Sequence, residues 1–171
     1  MNKINNQIKF KPSQLINWSC FVVTSIIIGL SIFYAREYEV LIRSPMLTGN
    51  AGRVLINLPE YLRFAFLLIT IYRIVAVWCI SYEISSEEIR MDSGILNRRH
   101  DFLELYRVKD YAVDQPFLYR LFGLGYLTLY TSDRTDPVFI LKAIPNPEEK
   151  YRIIRDLVEQ NRKAKHVFEV D

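Results

Sequence analysis

The sequence has little of the chemistry on which most enzymes depend. It contains two histidines and two cysteines in 171 residues, and no glycine-rich phosphate loop, metal-spaced Cys/His set or nucleophile elbow. Cys20 and Cys79 lie within apolar stretches, where a cysteine behaves as a small buried hydrophobe, and two cysteines cannot form a disulfide framework. His166 lies in a charged C-terminal segment, and His100 is interpreted as a polar group at a strand edge. We therefore expect no enzymatic activity, no cofactor and no metal site.

A strong charge of either sign is also missing. The net charge is +3 and the isoelectric point is about 8.8, which suits a protein beside an anionic leaflet but is too weak to predict nucleic-acid binding. Half of the residues are hydrophobic and 24% are charged, and the two classes are segregated along the chain. The apolar residues concentrate in two blocks before Tyr82, and the charges concentrate after it. This division predicts a membrane-embedded first part and a soluble second part.

The first apolar block, residues 15–34, has no charged residue over 20 positions. As a helix it would span about 30 Å, the thickness of a hydrocarbon core. A signal peptide is the alternative, but the run is too long and no small-x-small cleavage site precedes Arg36. The second block, 62–80, carries Arg63 at one end and Arg73 inside. A mid-membrane arginine costs about 2.5–3.5 kcal/mol, which the many aliphatic neighbours offset. Two transmembrane helices are therefore predicted.

Aromatic residues favour an antiparallel hairpin. Trp18 begins the first span and Trp78 ends the second, while Tyr34 and Tyr61 lie at the other ends. Each Trp-to-Tyr separation is about 25 Å by helical rise, as two interfacial belts require. The two tryptophans are therefore expected at one membrane face and the two tyrosines at the other.

Positive charge sets the expected orientation. The N-terminal tail, 1–14, has three lysines and no acid, so it is denser in positive charge than the connection, 35–61. The connection contains Ser44-Pro45, two glycines and Pro59, which predict a loop. We expect a cytoplasmic tail 1–14, a hairpin 15–81 with an extracytoplasmic loop 35–61, and both termini in the cytoplasm.

Two features within the spans suggest helix packing. Ser25 and Gly29 form a small-x-x-x-small pair, a spacing that lets another helix approach closely. The sequence leaves open two interpretations of Arg73. Its side chain could snorkel toward the face where Trp78 lies, or it could pair with an acid or carbonyl of another subunit.

The pattern changes after Ser81 to short segments with period-two character. The predicted strands are 82–84, 89–91, 95–97, 101–106, 108–114, 126–131 and 138–144. Gly94 marks a turn, and we expect positive φ there and at Gly123 or Gly125. Asn146 as the cap and Pro147 as the first helical residue predict a helix over 147–165. Its apolar stripe should cover the sheet; the stripe consists of Tyr151, Ile154, Leu157 and Val158.

The soluble part resembles the bacterial pleckstrin-homology-like (PH-like) domain of the membrane-anchored type. Its motifs occur in the family's order at Tyr82, 87–90, Gly94, Arg98 and Arg99, Val113, Gln115 and Pro116, 120–125, 127–131 and 144–147. A preceding two-span hairpin is a common arrangement in that family. The resemblance implies a membrane α-helical hairpin followed by a mainly β PH-like barrel of about seven strands, residues 82–171, capped by a C-terminal helix. It also implies a location in the bacterial inner membrane and no shared active site.

We expect the protein to be a non-enzymatic scaffold module at the membrane, working as a homo-oligomer or with other membrane subunits. Aromatic residues crowded around two glycines are the predicted partner-docking set: Phe117, Tyr119, Phe122 and Tyr126. The alternative is recognition of anionic lipid at the inner leaflet, through Arg90, Arg98 and Arg99. The hairpin 85–88 is acidic and would repel a phosphate, so this alternative predicts orientation on the membrane rather than lipid specificity. No nucleic-acid partner and no small-molecule substrate are expected.

Overall fold

The computed structural model of the protein describes residues 7–42, 50–134 and 136–165. These residues divide into two compact units. One unit consists of Asn17–Ile74, and the other combines the described residues before Asn17 with those from Val75 onward. We call them the helical unit and the sheet unit.

The helical unit is built from α1 (Trp18–Ile42) and most of α2 (Asn50–Trp78). The side-chain amide of Asn17 donates to the carbonyl oxygen of Arg73 at 3.1 Å, and the hydroxyl oxygens of Thr24 and Thr70 lie 2.7 Å apart. The later position on the first segment, Thr24, thus contacts the earlier position on α2, Thr70. The two helices are therefore antiparallel. Two helical stretches are long and apolar enough to cross a membrane, Gln14–Phe33 and Asn57–Trp78. Only 11% and 6% of these apolar stretches are buried.

The helices extend further than the sequence predicted. The prediction of a loop over 35–61 is wrong for residues 35–42 and 50–61, because α1 continues to Ile42 and α2 already begins at Asn50. Pro59 lies inside α2. A proline removes one hydrogen bond of a helix, and a long helix accommodates that loss where a short one would break. Residues 43–49, which include Ser44-Pro45, lie outside the described residues.

Seven strands lie within the described residues of the sheet unit. They are β1 (Ile8–Phe10), β2 (Ser81–Ile84), β3 (Glu88–Ser93), β4 (Arg99–Glu104), β5 (Val108–Asp114), β6 (Leu124–Thr131) and β7 (Val138–Pro145). All neighbours pair antiparallel, in one sheet of order β1-β2-β3-β4 and another of order β5-β6-β7. The predicted fold class is confirmed, although among the described strands no ladder joins the two sheets into a closed barrel.

Strand β1 comes from the segment that the sequence predicted only as a tail. Lys9 lies opposite Glu83 in the register, and their side chains form an ion pair of 3.2 Å. Ile8 and Phe10 pack against the core of the unit. A strand of three residues is too short to show a convincing period, so its partner on β2, more than seventy positions later, decides its structure.

A bulge in β7 connects three parts of the sheet unit. Leu127 pairs with Leu141 and Gly125 with Ile144, so two residues of β7 oppose one of β6. The backbone groups released by the bulge find other partners. The Lys142 amide donates to the hydroxyl of buried Tyr82 at 3.2 Å, and the Ala143 carbonyl accepts from the Ser13 amide at 2.9 Å. The bulge therefore binds both β2 and the segment that precedes α1.

Glycine turns and two further helices complete the unit. Gly94 and Gly123 have φ of 103° and 64°, as predicted. The strand predicted over 95–97 is wrong: these residues form the β3–β4 turn, because Gly94 reverses the chain before they can pair. Helix α3 (Phe117–Leu121) follows β5, and α4 (Pro147–Ala164) begins where the Asn-Pro signal predicted. The predicted stripe of α4 packs on the core, with Ile154 and Val158 buried.

Candidate functional site

A polar cleft opens in the sheet unit beside the end of α2. Its volume is about 320 Å³. It lies between the segment that follows β1, the last residues of α2 and the β3–β4 turn. Its lining residues are Lys11, Trp78, Cys79, Ser81, Asp92, Ser93, Gly94, Ile95, Arg98 and His100.

The backbone pairing of β1 brings Lys11 into this cleft. Phe10 lies opposite Tyr82, so the next residue, Lys11, emerges beside the start of β2. The Lys11 ammonium nitrogen lies 3.4 Å from the carbonyl oxygen of Trp78 and 6.0 Å from the centre of its ring. A cation over an indole face is attracted by the ring quadrupole. Sequence reasoning used Lys11 only as part of a basic tail, since only the β1–β2 register brings it near the cleft.

Asp92 is the acidic residue of the cleft, and it is already paired. The Nδ1 of His100 lies 2.6 Å from its carboxylate, and the Arg90 guanidinium donates to the same oxygen at 2.8 Å. The hydrogen bond from His100, assisted by Arg90, holds the pKa of the Asp92 carboxyl below its ordinary value. Lys11 and Arg98 form no ion pair within the described part of the chain, so the cleft has an excess of positive charge.

The structure separates the three predicted lipid-contacting arginines. Arg98 lines the cleft. Arg90 is occupied by Asp92 and lies 5.3 Å from the ring centre of Phe102. Arg99 pairs with Asp101 at 2.7 Å on the exposed surface of β4. One of the three therefore faces the cleft directly, and a second supports its acidic residue.

The four predicted docking aromatics fall into two pairs. Phe117 and Phe122, at the two ends of α3, are 75% and 66% exposed. Tyr119 is buried, with its ring centre 4.9 Å from that of partly buried Tyr126. Only the phenylalanines are therefore available as a surface, whereas the tyrosines fill a small apolar cluster.

That cluster includes the residues that lead into α1. Leu15 and Ile16 pack against it, and the Tyr119 hydroxyl donates to the Leu15 carbonyl oxygen at 3.5 Å. Burial raises the pKa of the Tyr119 phenol, which keeps it a neutral donor. Helix α3 is thus fixed next to the segment that precedes the first long helix.

The intramembrane candidates lie on the surface of the helical unit. Ser25 and Gly29 are exposed, and nothing lies within 4 Å of a Cβ built on Gly29. The α1–α2 contact instead uses Asn17, Cys20 and Thr24, on a different side of α1. Arg73 is exposed, and its side chain has no partner within the described residues.

The polar groups of the cleft are of the kind that bind anions. Among the described residues no group of three or more His, Cys, Asp or Glu side chains could hold a metal ion. The cleft presents two cations and two serine hydroxyls, which are the groups that bind phosphate or carboxylate.

Comparison with known protein families identifies a match over most of the chain. The family described as Bacterial PH domain matches residues 14–159. This stretch includes both long helices and all of the sheet unit's elements except β1 and the end of α4. No curated protein and no solved structure matches the chain.

Proposed function

Because the chain belongs to the bacterial PH domain family, we propose that it is a non-catalytic scaffold module anchored in the bacterial inner membrane by its two long helices. The family shares a fold and no active site, which supports a binding module. The observation that carries the anchoring is the exposure of the helices, whose apolar windows are only 11% and 6% buried. The apolar core helix of a soluble domain is covered by its neighbours.

The exposed side chains of these helices need an apolar solvent. They include Val22, Val23, Ile26, Leu30, Ile32, Phe33, Leu62, Phe64, Leu67, Leu68, Ile69 and Ile71. A soluble monomer rarely exposes an apolar patch above a few hundred Å². Each Å² removed from water contributes about 25 cal/mol, so burial in lipid is strongly favoured.

The β1–β2 pairing supports a location of both flanking segments on one side of the membrane. Strand β1 precedes the two helices and β2 follows them, and the two strands are hydrogen-bonded neighbours. Two crossings return the chain to the side from which it started. The lysine-rich tail favours the cytoplasm for that side.

Cysteine labelling tests the anchoring and the orientation together. In a Cys20→Ser, Cys79→Ser background, single cysteines are introduced by Asn50→Cys and Asp133→Cys. An impermeant maleimide added to intact cells should label the first variant and not the second, and the protein should remain in the membrane fraction after alkaline carbonate extraction. Labelling of only the second variant would invert the topology, and release by carbonate would contradict the anchoring.

Assembly with further copies or with other membrane subunits is part of the proposal. Arg73 is exposed on the helical unit, and a charge facing lipid is costly unless it reaches the interface or a partner. Ser25 and Gly29 offer a surface that a second helix can approach closely. A bundle of hairpins provides an interior in which the arginine can be paired.

Arg73→Leu should therefore insert as well as wild type and assemble less. Removing the charge lowers the insertion cost by about 2.5–3.5 kcal/mol, while any inter-subunit contact of the guanidinium is lost. Native mass spectrometry of both proteins in the same mild detergent would measure the oligomer distribution and any co-purifying subunit.

Arg63→Leu is the matched control, because Arg63 already pairs with Glu60 on its own helix at 2.8 Å. It should leave the distribution unchanged. A wild-type protein that remains monomeric and without partners after extraction with native lipids would refute the assembly and favour lipid recognition.

Lipid recognition is the second candidate, and the cleft supports it. Lys11 and Arg98 converge beside Trp78, the last residue of α2 and a side chain typical of membrane interfaces. A lipid phosphate at this depth would meet both cations. Each basic residue near an anionic surface contributes about 1 kcal/mol.

The double variant Lys11→Gln, Arg98→Gln should accordingly bind phosphatidylglycerol more weakly. Two contacts of about 1 kcal/mol each correspond to a loss of more than about tenfold. The measurement is the number of phosphatidylglycerol molecules retained by the full-length protein during stepwise delipidation. Lys109→Gln, on the exposed face of β5, is the control. Equal retention by all three proteins would exclude the cleft as a headgroup site.

A further inference from the structure

We propose that the sheet unit carries a bilayer-docking surface, formed by the β3–β4 turn with Leu96 and by helix α3. Its occupant is the interfacial layer of the membrane that the same chain spans. The inference rests on the proposed anchoring by the two long helices. It adds a direct contact between the sheet unit and the lipid surface.

The β3–β4 turn is the first element. Leu96 at its tip is 99% exposed, the most exposed large apolar side chain among the described residues. The turn is held in place at its base, because Gly94 and Arg98 line the same cleft as Trp78. Trp78 is the final residue of α2, so Leu96 lies near the point at which the chain leaves the second long helix.

Helix α3 is the second element. One side of it carries Tyr119, which is buried against Leu15 and Ile16. The remaining surface is exposed and mostly apolar, with Phe117, Leu118, Leu121 and Phe122 around the single charged residue, Arg120. Leu15 and Ile16 directly precede α1, so this surface lies near the point at which the chain enters the first long helix.

The common position of the two elements identifies the occupant. They are separate in sequence, but one lies near the start of the first long helix and the other near the end of the second. A protein partner would not require both elements to lie beside the ends of the membrane-spanning helices, whereas contact with the membrane surface would. Arginines also lie beside both apolar tips: Arg98 on the turn, Arg99 at the start of β4 and Arg120 in α3. Apolar side chains with basic neighbours are the composition of segments that lie in an anionic interface.

The three-stranded sheet, β5-β6-β7, provides a contrast at its end away from α3. Strand β6 runs from Leu124, beside α3, to Thr131, about 23 Å away at 3.3 Å per residue. The β6–β7 connection beyond it, 132–137, has the polar sequence SDRTDP. Val138, which lies opposite Tyr130 in the register, is exposed to 44% and serves as an apolar reference site at the end of β6 away from α3.

Site-specific quenching in the full-length protein tests the inference. Single cysteines are introduced by Leu96→Cys, Phe122→Cys, Val138→Cys and Ile26→Cys in a background lacking Cys20 and Cys79, and each is coupled to an environment-sensitive fluorophore. The proteins are reconstituted in vesicles of phosphatidylcholine and phosphatidylglycerol. Fluorescence is measured with iodide in the water and, separately, with brominated lipid in the bilayer.

Labels at positions 96 and 122 should resemble the label at position 26, with loss of iodide quenching and gain of bromolipid quenching. The label at 138 should show the reverse. If positions 96 and 122 are quenched by iodide like 138 while 26 is quenched by lipid, the docking surface is refuted and the anchoring stands. If 26 is also quenched by iodide, the anchoring fails and the inference fails with it. Protection from both quenchers at 96 and 122 would overturn the inference in favour of a protein contact.

Discussion

Gly94→Val should lower the stability of the sheet unit by about 2–6 kcal/mol. The φ of Gly94 is 103°, which a β-branched residue does not adopt without strain. A Cβ built there would also overlap the carbonyl oxygen of Asn97, which is a backbone atom and cannot move away as a side chain could. Strain and overpacking each cost about 1–3 kcal/mol, and a small domain has only about 5–15 kcal/mol in total. The measurement is the guanidinium midpoint of the full-length protein, followed by near-ultraviolet circular dichroism.

Gly123→Ala separates the two causes. Gly123 also has positive φ, but the nearest atom to its built Cβ is 3.8 Å away. It should therefore lose only about 1 kcal/mol, the cost of the left-handed conformation. Equal midpoints for Gly94→Val and Gly123→Ala would show that the close approach to Asn97 is not a determinant of stability.

Ile154→Ala should cost about 2–5 kcal/mol, which is the range for truncating a fully buried isoleucine. Ile154 is 0% exposed and lies in the main core cluster, which contains residues of both sheets. The truncation leaves a cavity beneath α4, which packs against β5 and β6. Thermal unfolding of the same detergent preparation would detect the loss as a lower melting temperature.

The neighbouring residue is the control for this change. Ile153 has the same chemistry and the same helix propensity, but it is only partly buried and lines an open groove of about 510 Å³. Ile153→Ala should lose much less stability. Similar losses at both positions would mean that α4 contributes through its propensity rather than through its packing.

Local signals in the sequence were sufficient for most of the sheet unit. Gly94 could be predicted as a turn because positive φ is a property of a single residue. The start of α4 could be predicted because its cap, Asn146, and its first residue, Pro147, are adjacent in the chain. The buried stripe of α4 follows from helical period alone, and Ile154 and Val158 occupy it as expected.

Features that depend on distant partners were not predicted. Strand β1 exists because β2 offers it an edge, and the bulge in β7 is satisfied by Tyr82, sixty positions earlier. In the candidate site, too, some features follow from local sequence and others depend on distant residues. The crowding of aromatics identified the region of α3, but whether Tyr119 or Phe122 faces solvent depends on the packing of Leu15 against that helix. Lys11 could not be predicted as a cleft residue without the β1–β2 register.

The pairing of β1 with β2 also constrains the order of folding. It closes a chain loop that contains residues 11–80, so the four-stranded sheet can be completed only after both long helices have been synthesised. Closing a loop of that length in a flexible chain costs about 4 kcal/mol, more than a three-residue strand recovers. The antiparallel helices reduce this cost, because Asn17 and Arg73 are in contact and bring the two chain ends together. We therefore expect β1 to pair with β2 late in folding, after the helical hairpin has formed.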